Sequence, residues 1–136
     1  MIDTLCEIKR EASIAGFAHI FDPPELYPYP EAETRADLEE LLVRGGHVVL
    51  DPQERGFALV ADESLQQLFV RPAAWGTGVA GELHDRATDL GARKLWVMEQ
   101  NERARRFYEK HGWRPDGRTR IVPFPPHPVS LGYSRP

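Results

Sequence analysis

Gly76-Thr77-Gly78-Val79-Ala80-Gly81 spaces its glycines as G-x-G-x-x-G, a pattern suited to holding a pyrophosphate. Glycines placed before a helix leave successive backbone N–H groups free to face an anion, and the helix dipole adds favourable potential. Two chemistries fit the run. One is a dinucleotide site, with Glu99, about 20 residues on, as the acid for the ribose hydroxyls. The other is a different pyrophosphate, that of coenzyme A included. Against the dinucleotide stand the five residues Arg71 to Trp75 between the strand and the first glycine, the half of the chain that precedes the motif, and the short remainder after Glu99. That remainder holds one short helix and two strands, too little for a nucleotide-binding sheet. A glycine pair alone is equally explained as a turn that ends a strand and starts a helix.

The elements that must position this loop follow from periodicity and punctuation. Leu5, Ile8, Ala12 and Ala15 form a helical stripe closed by Gly16. Phe21 to Pro30 carries four prolines and three aromatics, and proline excludes a helix interior there. A second helix is expected from Glu31 to Arg44, with Gly45-Gly46 as its left-handed cap. His47–Leu50 and Gly56–Ala61 flank the turn Asp51-Pro52-Gln53-Glu54 as a hairpin, and Leu65–Arg71 is a third strand ended by Pro72. Val79, Leu83, Ala87 and Leu90 mark a helix stopping at Gly91, Lys94–Met98 a strand, and Asn101 the N-cap of a helix to Lys110. Trp113-Arg114 and Val129–Tyr133 are the last two strands, joined by a loop containing Pro123 to Pro128. The order α-α-β-β-β-α-β-α-β-β implies an α/β fold, one mixed sheet flanked by helices in a single domain over residues 1–136.

Composition narrows the function classes. The 136 residues suit one core, and 41% hydrophobic with 28% charged residues describes a soluble globular chain. A net charge of -4 argues against nucleic acid, although Arg103, Arg105, Arg106, Lys110 and Arg114 form a local basic run. The single cysteine, Cys6, excludes an internal disulfide and fits a reducing cytoplasm. No apolar run reaches membrane-spanning length, and Asp3 and Glu7 break any signal-peptide pattern. No metal-ligand constellation is expected.

Leu68 to Ala80, followed by Leu95 to Trp113 with its N-x-x-A-x-x-x-Y-x-x-x-G-aromatic pattern, resembles the cofactor-binding core of the GNAT superfamily of N-acetyltransferases. The resemblance is strong from Leu65 to Trp113 and weaker over the rest of residues 5 to 134. It implies acetyl-CoA as co-substrate in a cleft between two splayed strands. Leu68, Phe69 and Val70 would pair with the pantetheine arm, and the amides of Trp75, Gly76, Thr77, Gly78, Val79, Ala80 and Gly81 would take the pyrophosphate. Asn101 and Arg105 would border the pantetheine and nucleotide ends. Tyr108 would protonate the leaving thiolate, and Glu99 and Glu63 lie where family bases are often found, ahead of His19, His47 and His127. The two proline-aromatic stretches would border the pocket for a small-molecule or peptide amine.

Two departures from the family pattern stand out. Trp75 replaces the usual Gln or Arg at a position that acts largely through its backbone. The usual first strand is missing, which leaves His47–Leu50 as an exposed sheet edge open to pairing with a second copy. Two other functions remain: a non-catalytic acyl-CoA-binding module and the dinucleotide domain.

Overall fold

The computed structural model describes residues 1–136. Two helices come first, α1 (Ile2–Gly16) and α2 (Glu31–Val43), followed by β1 (His47–Leu50), β2 (Gly56–Ala61) and β3 (Ser64–Val70). A single 3-10 turn at Pro72–Ala74 leads to α3 (Val79–Asp89), and then come β4 (Lys94–Met98), α4 (Glu102–Lys110), β5 (Arg114–Ile121) and β6 (Val129–Ser134). The six strands form one mixed sheet in the order β1-β2-β3-β4-β6-β5. β1 is an edge, as expected of His47–Leu50. No helix is long and apolar enough to cross a membrane.

The middle of the sheet is legible in β2. Its run Gly-Phe-Ala-Leu-Val-Ala does not alternate because every residue is buried, the pattern of a strand covered on both faces. Ala58 and Val60 enter the larger core, with Val79, Leu83 and Ala87 of α3 and Tyr108 of α4. Phe57, Leu59 and Ala61 enter the smaller one, with Leu5 and Ile8 of α1 and Leu38 and Leu41 of α2. The sheet therefore separates two helical layers. Gly45 adopts φ +89° after α2, and a Cβ on Gly46 would meet the Leu41 carbonyl oxygen at 2.6 Å. Gly45 thus serves the left-handed turn and Gly46 the close approach.

β5 is longer than the two residues expected at Trp113-Arg114. Arg114–Ile121 has no apolar alternation because it is the outer edge and nearly all of it is exposed. It pairs with β6 across a register break between Pro115 and Thr119. Such a bulge accommodates Pro115 at an edge.

The β1–β2 turn is fixed by Asp51, whose carboxylate accepts from the amides of Gln53 and Arg55 and from the Arg55 guanidinium at 2.8 and 2.9 Å. The guanidinium holds this carboxyl down at about 2. The folded value lies below the unfolded one, so the contribution is complete above about pH 4 and is lost as pH falls toward 2. Urea unfolding of Asp51→Asn should show less acid dependence over that interval than the parent chain.

Candidate active site

The glycine run leaves several backbone amides free, and they are distributed unevenly. After Val70 the 3-10 turn folds the Trp75 amide back onto the Pro72 carbonyl at 3.1 Å, and the Thr77 amide onto that of Ala74 at 3.3 Å. The Thr77 hydroxyl also donates to the Ala74 oxygen, at 2.5 Å. Gly76 and Gly78 take φ of 79° and 89°, which L side chains rarely adopt. The amides of Gly76, Gly78, Val79, Ala80 and Gly81 have no backbone acceptor. Five free donors thus lie at the N-terminus of α3 and in the loop just before it, without those of Trp75 and Thr77. A Cβ on Gly81 would meet nothing within 4 Å, so this glycine lacks the helix-packing role of the third glycine in a dinucleotide fingerprint.

β3 and β4 pair in parallel only at Ser64–Lys94 and Leu65–Leu95. Beyond Leu65 they separate and enclose a cavity of about 370 Å³ that reaches the glycine loop. The Arg71 amide donates to the Arg55 carbonyl, and Phe57 lies opposite Phe69. Backbone alternation therefore directs Phe69 toward β2 and turns the polar groups of Leu68 and Val70 into the gap. The Trp75 indole takes up one of these, donating from Nε1 to the Val70 carbonyl at 2.8 Å. Trp75 is thus tied in by its side chain as well as by its backbone amide. Arg103 stacks over the indole with its guanidinium carbon 3.7 Å from the ring centroid.

One face of α4 forms the opposite wall. Asn101 caps this helix by accepting from the Ala104 amide at 3.3 Å. Asn101, Arg103, Ala104, Phe107 and Tyr108 all line the cavity. Tyr108 is 9% exposed, and burial pushes its phenol above the ordinary tyrosine range, so it stays protonated. Beneath α4, the Trp113 indole donates to Nε2 of buried His84 at 2.9 Å, which fixes the helix end against α3.

Of the other residues singled out from sequence, Leu68, Phe69, Val70, Trp75, Gly76, Gly78 and Ala80 line the cavity, whereas Thr77, Val79 and Gly81 do not. Arg105 lies on another face of α4, where it donates to the Tyr133 hydroxyl at 2.9 Å and to the Glu99 carbonyl at 3.1 Å. Glu63 sits at the paired, closed end of the two strands, where its carbonyl receives the amides of Arg93 and Lys94. Glu99 is exposed in the turn after β4. His19 donates to or accepts from no cavity group and is tethered to the Gln100 carbonyl at 2.8 Å, while His127 is held by that of Val122 at 2.9 Å. None of these carboxylates or imidazoles, His47 included, lines the cavity.

Arg103, Trp96 and Arg120 line it without having been singled out as site residues. Arg103 was legible as the residue one helical turn before Phe107, on the face that carries Tyr108. Arg120 covers Trp96, 4.4 Å from the ring centroid, and no pattern in the exposed β5 announced it.

A second cavity, of about 850 Å³, lies between α1, the Phe21–Pro30 stretch and the β5–β6 loop. Both proline-aromatic stretches contribute to it, through residues such as Tyr27, Tyr29 and Phe124. It meets the first cavity at Phe17, Gln66, Gln67, Phe69, Met98 and Val122. A donor in one cavity and an acceptor in the other would therefore face each other across β3.

Comparison with known proteins agrees with this geometry. The family described as Acetyltransferase (GNAT) domain matches residues 8–115. The peptidyl-lysine N-acetyltransferase YjaB of Escherichia coli K12 is 30% identical over 103 residues, covering 70% of each chain. Its solution structure superposes with a TM-score of 0.73 at 24% identity, over 98% of this chain and 89% of that one. An uncharacterised N-acetyltransferase of Mycobacterium tuberculosis is 39% identical over 62 residues, 41% of this chain; the match spans 40% of the length of that relative. The PaiA N-acetyltransferase of Thermoplasma acidophilum, in complex with coenzyme A, shares the fold with a TM-score of 0.65 at 17% identity, over 98% of this chain and 92% of that one.

Proposed function

The chain belongs to the GNAT acetyltransferase family, and from that premise we propose that it transfers an acetyl group from acetyl-CoA directly to a primary amine. The observation that carries this reading is the gap between β3 and β4, which ends at five unpaired amides. A pyrophosphate fits the amides of Gly76, Gly78, Val79, Ala80 and Gly81, with the α3 dipole adding to them. Arg103 adds a positive charge from the α4 wall, where it covers Trp75. The Leu68 backbone and the Val70 amide take the extended pantetheine as an added strand. An amide in this segment polarises the thioester carbonyl as charge develops on its oxygen.

Acetyl-CoA supplies an activated acyl group on a leaving thiol. Tyr108 delivers the proton to that thiol. A thiol and a tyrosine have solution pKa values of about 8.5 and 10, and both anions lose hydration in the cleft, so the transfer stays moderately uphill. The acceptor enters through the second cavity and loses its proton to water, because no carboxylate or imidazole faces the donor cleft. Glu63→Gln and Glu99→Gln should each leave kcat within about twofold, the scale of ordinary surface substitutions. A loss of about 100-fold or more in either would mark it as the base. Release of free thiol from acetyl-CoA in the presence of a panel of amines tests the activity itself.

For the assembly, we propose that two copies pair along the open edge of β1 at His47–Leu50. Sedimentation at increasing concentration should show the dimer, and a constant monomer contradicts it.

A further inference from the structure

The acceptor cavity holds unmatched polar groups at two places, and they differ in kind. Lys9 lines it from α1, with Nζ 5.5 Å from the centre of the Phe69 ring. No carboxylate reaches this ammonium within ion-pair distance, and Asp37 and Cys6 are the nearby groups that favour its charge. Burial lowers its pKa to about 8, so it remains mainly protonated near neutrality. Arg10, by contrast, is paired with Glu31. The cavity's carboxylates, Asp22 and Glu33, are exposed, so their charges are screened by water.

Ser13 lies one helical turn after Lys9, on the same face of α1. It is only 4% exposed, and its Oγ is buried without a hydrogen-bond partner. Opposite, on β3, the Gln67 side-chain oxygen is also buried without a partner, and Gln67 borders both cavities. Only three buried side-chain polar atoms in the chain lack a partner. Two of them belong to residues that line this cavity and lie just beneath its surface, where a side-chain rotation would bring them to a ligand that satisfies them. A cation and a hydroxyl on one wall suit a carboxylate. A lone carbonyl oxygen at the junction with the donor cleft suits an amine. Between them, Phe17, Phe69, Tyr27 and Phe124 present apolar surface.

We propose that the acceptor is an amino acid with an aromatic or apolar side chain, its carboxylate held by Lys9 and Ser13 and its amine by Gln67. This rests on the acetyltransferase reading above. It adds that the acceptor carries a negative charge as well as the reacting nitrogen.

The test compares 3-phenylpropionate with its neutral amide, 3-phenylpropanamide, in titration calorimetry and thermal unfolding of the full chain. The carboxylate should bind the parent chain roughly tenfold or more tightly than the amide, the scale of one charge-assisted hydrogen bond. Lys9→Met should abolish that difference, and Ser13→Ala should reduce it; the second variant decides if the first does not fold. With acetyl-CoA present, phenylalanine should then release thiol faster than phenethylamine. Equal affinity for carboxylate and amide, no binding of the carboxylate, or a preference that survives both substitutions overturns the proposal. Acetyl-CoA serves as the internal control. If it stabilises the parent chain and the carboxylate is not preferred, only the acceptor assignment fails; if it does not stabilise the chain, the transferase reading fails with it.

Discussion

Tyr108→Phe should lower kcat by roughly 100-fold or more, the range of a lost general acid, while acetyl-CoA affinity stays within about twofold. The separation follows from position. The Tyr108 ring is buried, while its hydroxyl lies at the wall of the cleft and makes no hydrogen bond within the chain, so removing its oxygen orphans no other protein group. The ring remains packed at 6.0 Å from Trp113 and 5.5 Å from Phe107, and α4 keeps its place. The proposed phosphate contacts lie elsewhere, at the N-terminus of α3. An unchanged kcat measured by thiol release assigns the leaving-group proton to water and removes Tyr108 from the mechanism.

Ala80→Glu should weaken acetyl-CoA binding by roughly 100-fold and leave the fold as stable as before or slightly more so. Ala80 lies in the first turn of α3 and faces the donor cavity. A carboxylate there competes for the free amides that would take the pyrophosphate and repels its charge, at a cost of about 1–4 kcal/mol for charges some 4 Å apart. The same carboxylate is favourable at a helix N-terminus by about 0.3–1 kcal/mol. Binding and stability therefore move in opposite directions, which a merely disruptive substitution would not produce. Parallel calorimetry and thermal unfolding read both; unchanged affinity places the phosphates elsewhere.

The sequence disclosed the order and type of every helix and strand, because α1, α3 and α4 carry one apolar face and β2 an unbroken apolar run. It understated β5, where exposure at a sheet edge leaves Arg114–Ile121 no hydrophobic signal. The glycine spacing fitted a pyrophosphate loop and a plain strand-to-helix turn alike, and only its pairing with Leu95 to Trp113 favoured the first; the division of labour among its amides left no mark. Spacing cannot show that a 3-10 turn commits the Trp75 and Thr77 amides to Pro72 and Ala74. Arg105 and Arg103 differ by two positions in a charged run, yet α4 turns Arg103 onto Trp75 and Arg105 toward Tyr133. Helical phase from Phe107 and Tyr108 distinguishes the two. Lys9, Ser13 and Gln67 left no trace in the sequence, since their meaning is the lack of partners after burial.

We propose that the cleft between β3 and β4 binds acetyl-CoA through the loop before α3. Titration calorimetry of the full chain with acetyl-CoA, and separately with NAD, measures it most directly. One acetyl-CoA should bind per chain, with NAD giving no heat and failing to displace it. NAD binding in its place, or no acetyl-CoA binding at millimolar concentration, would contradict the account.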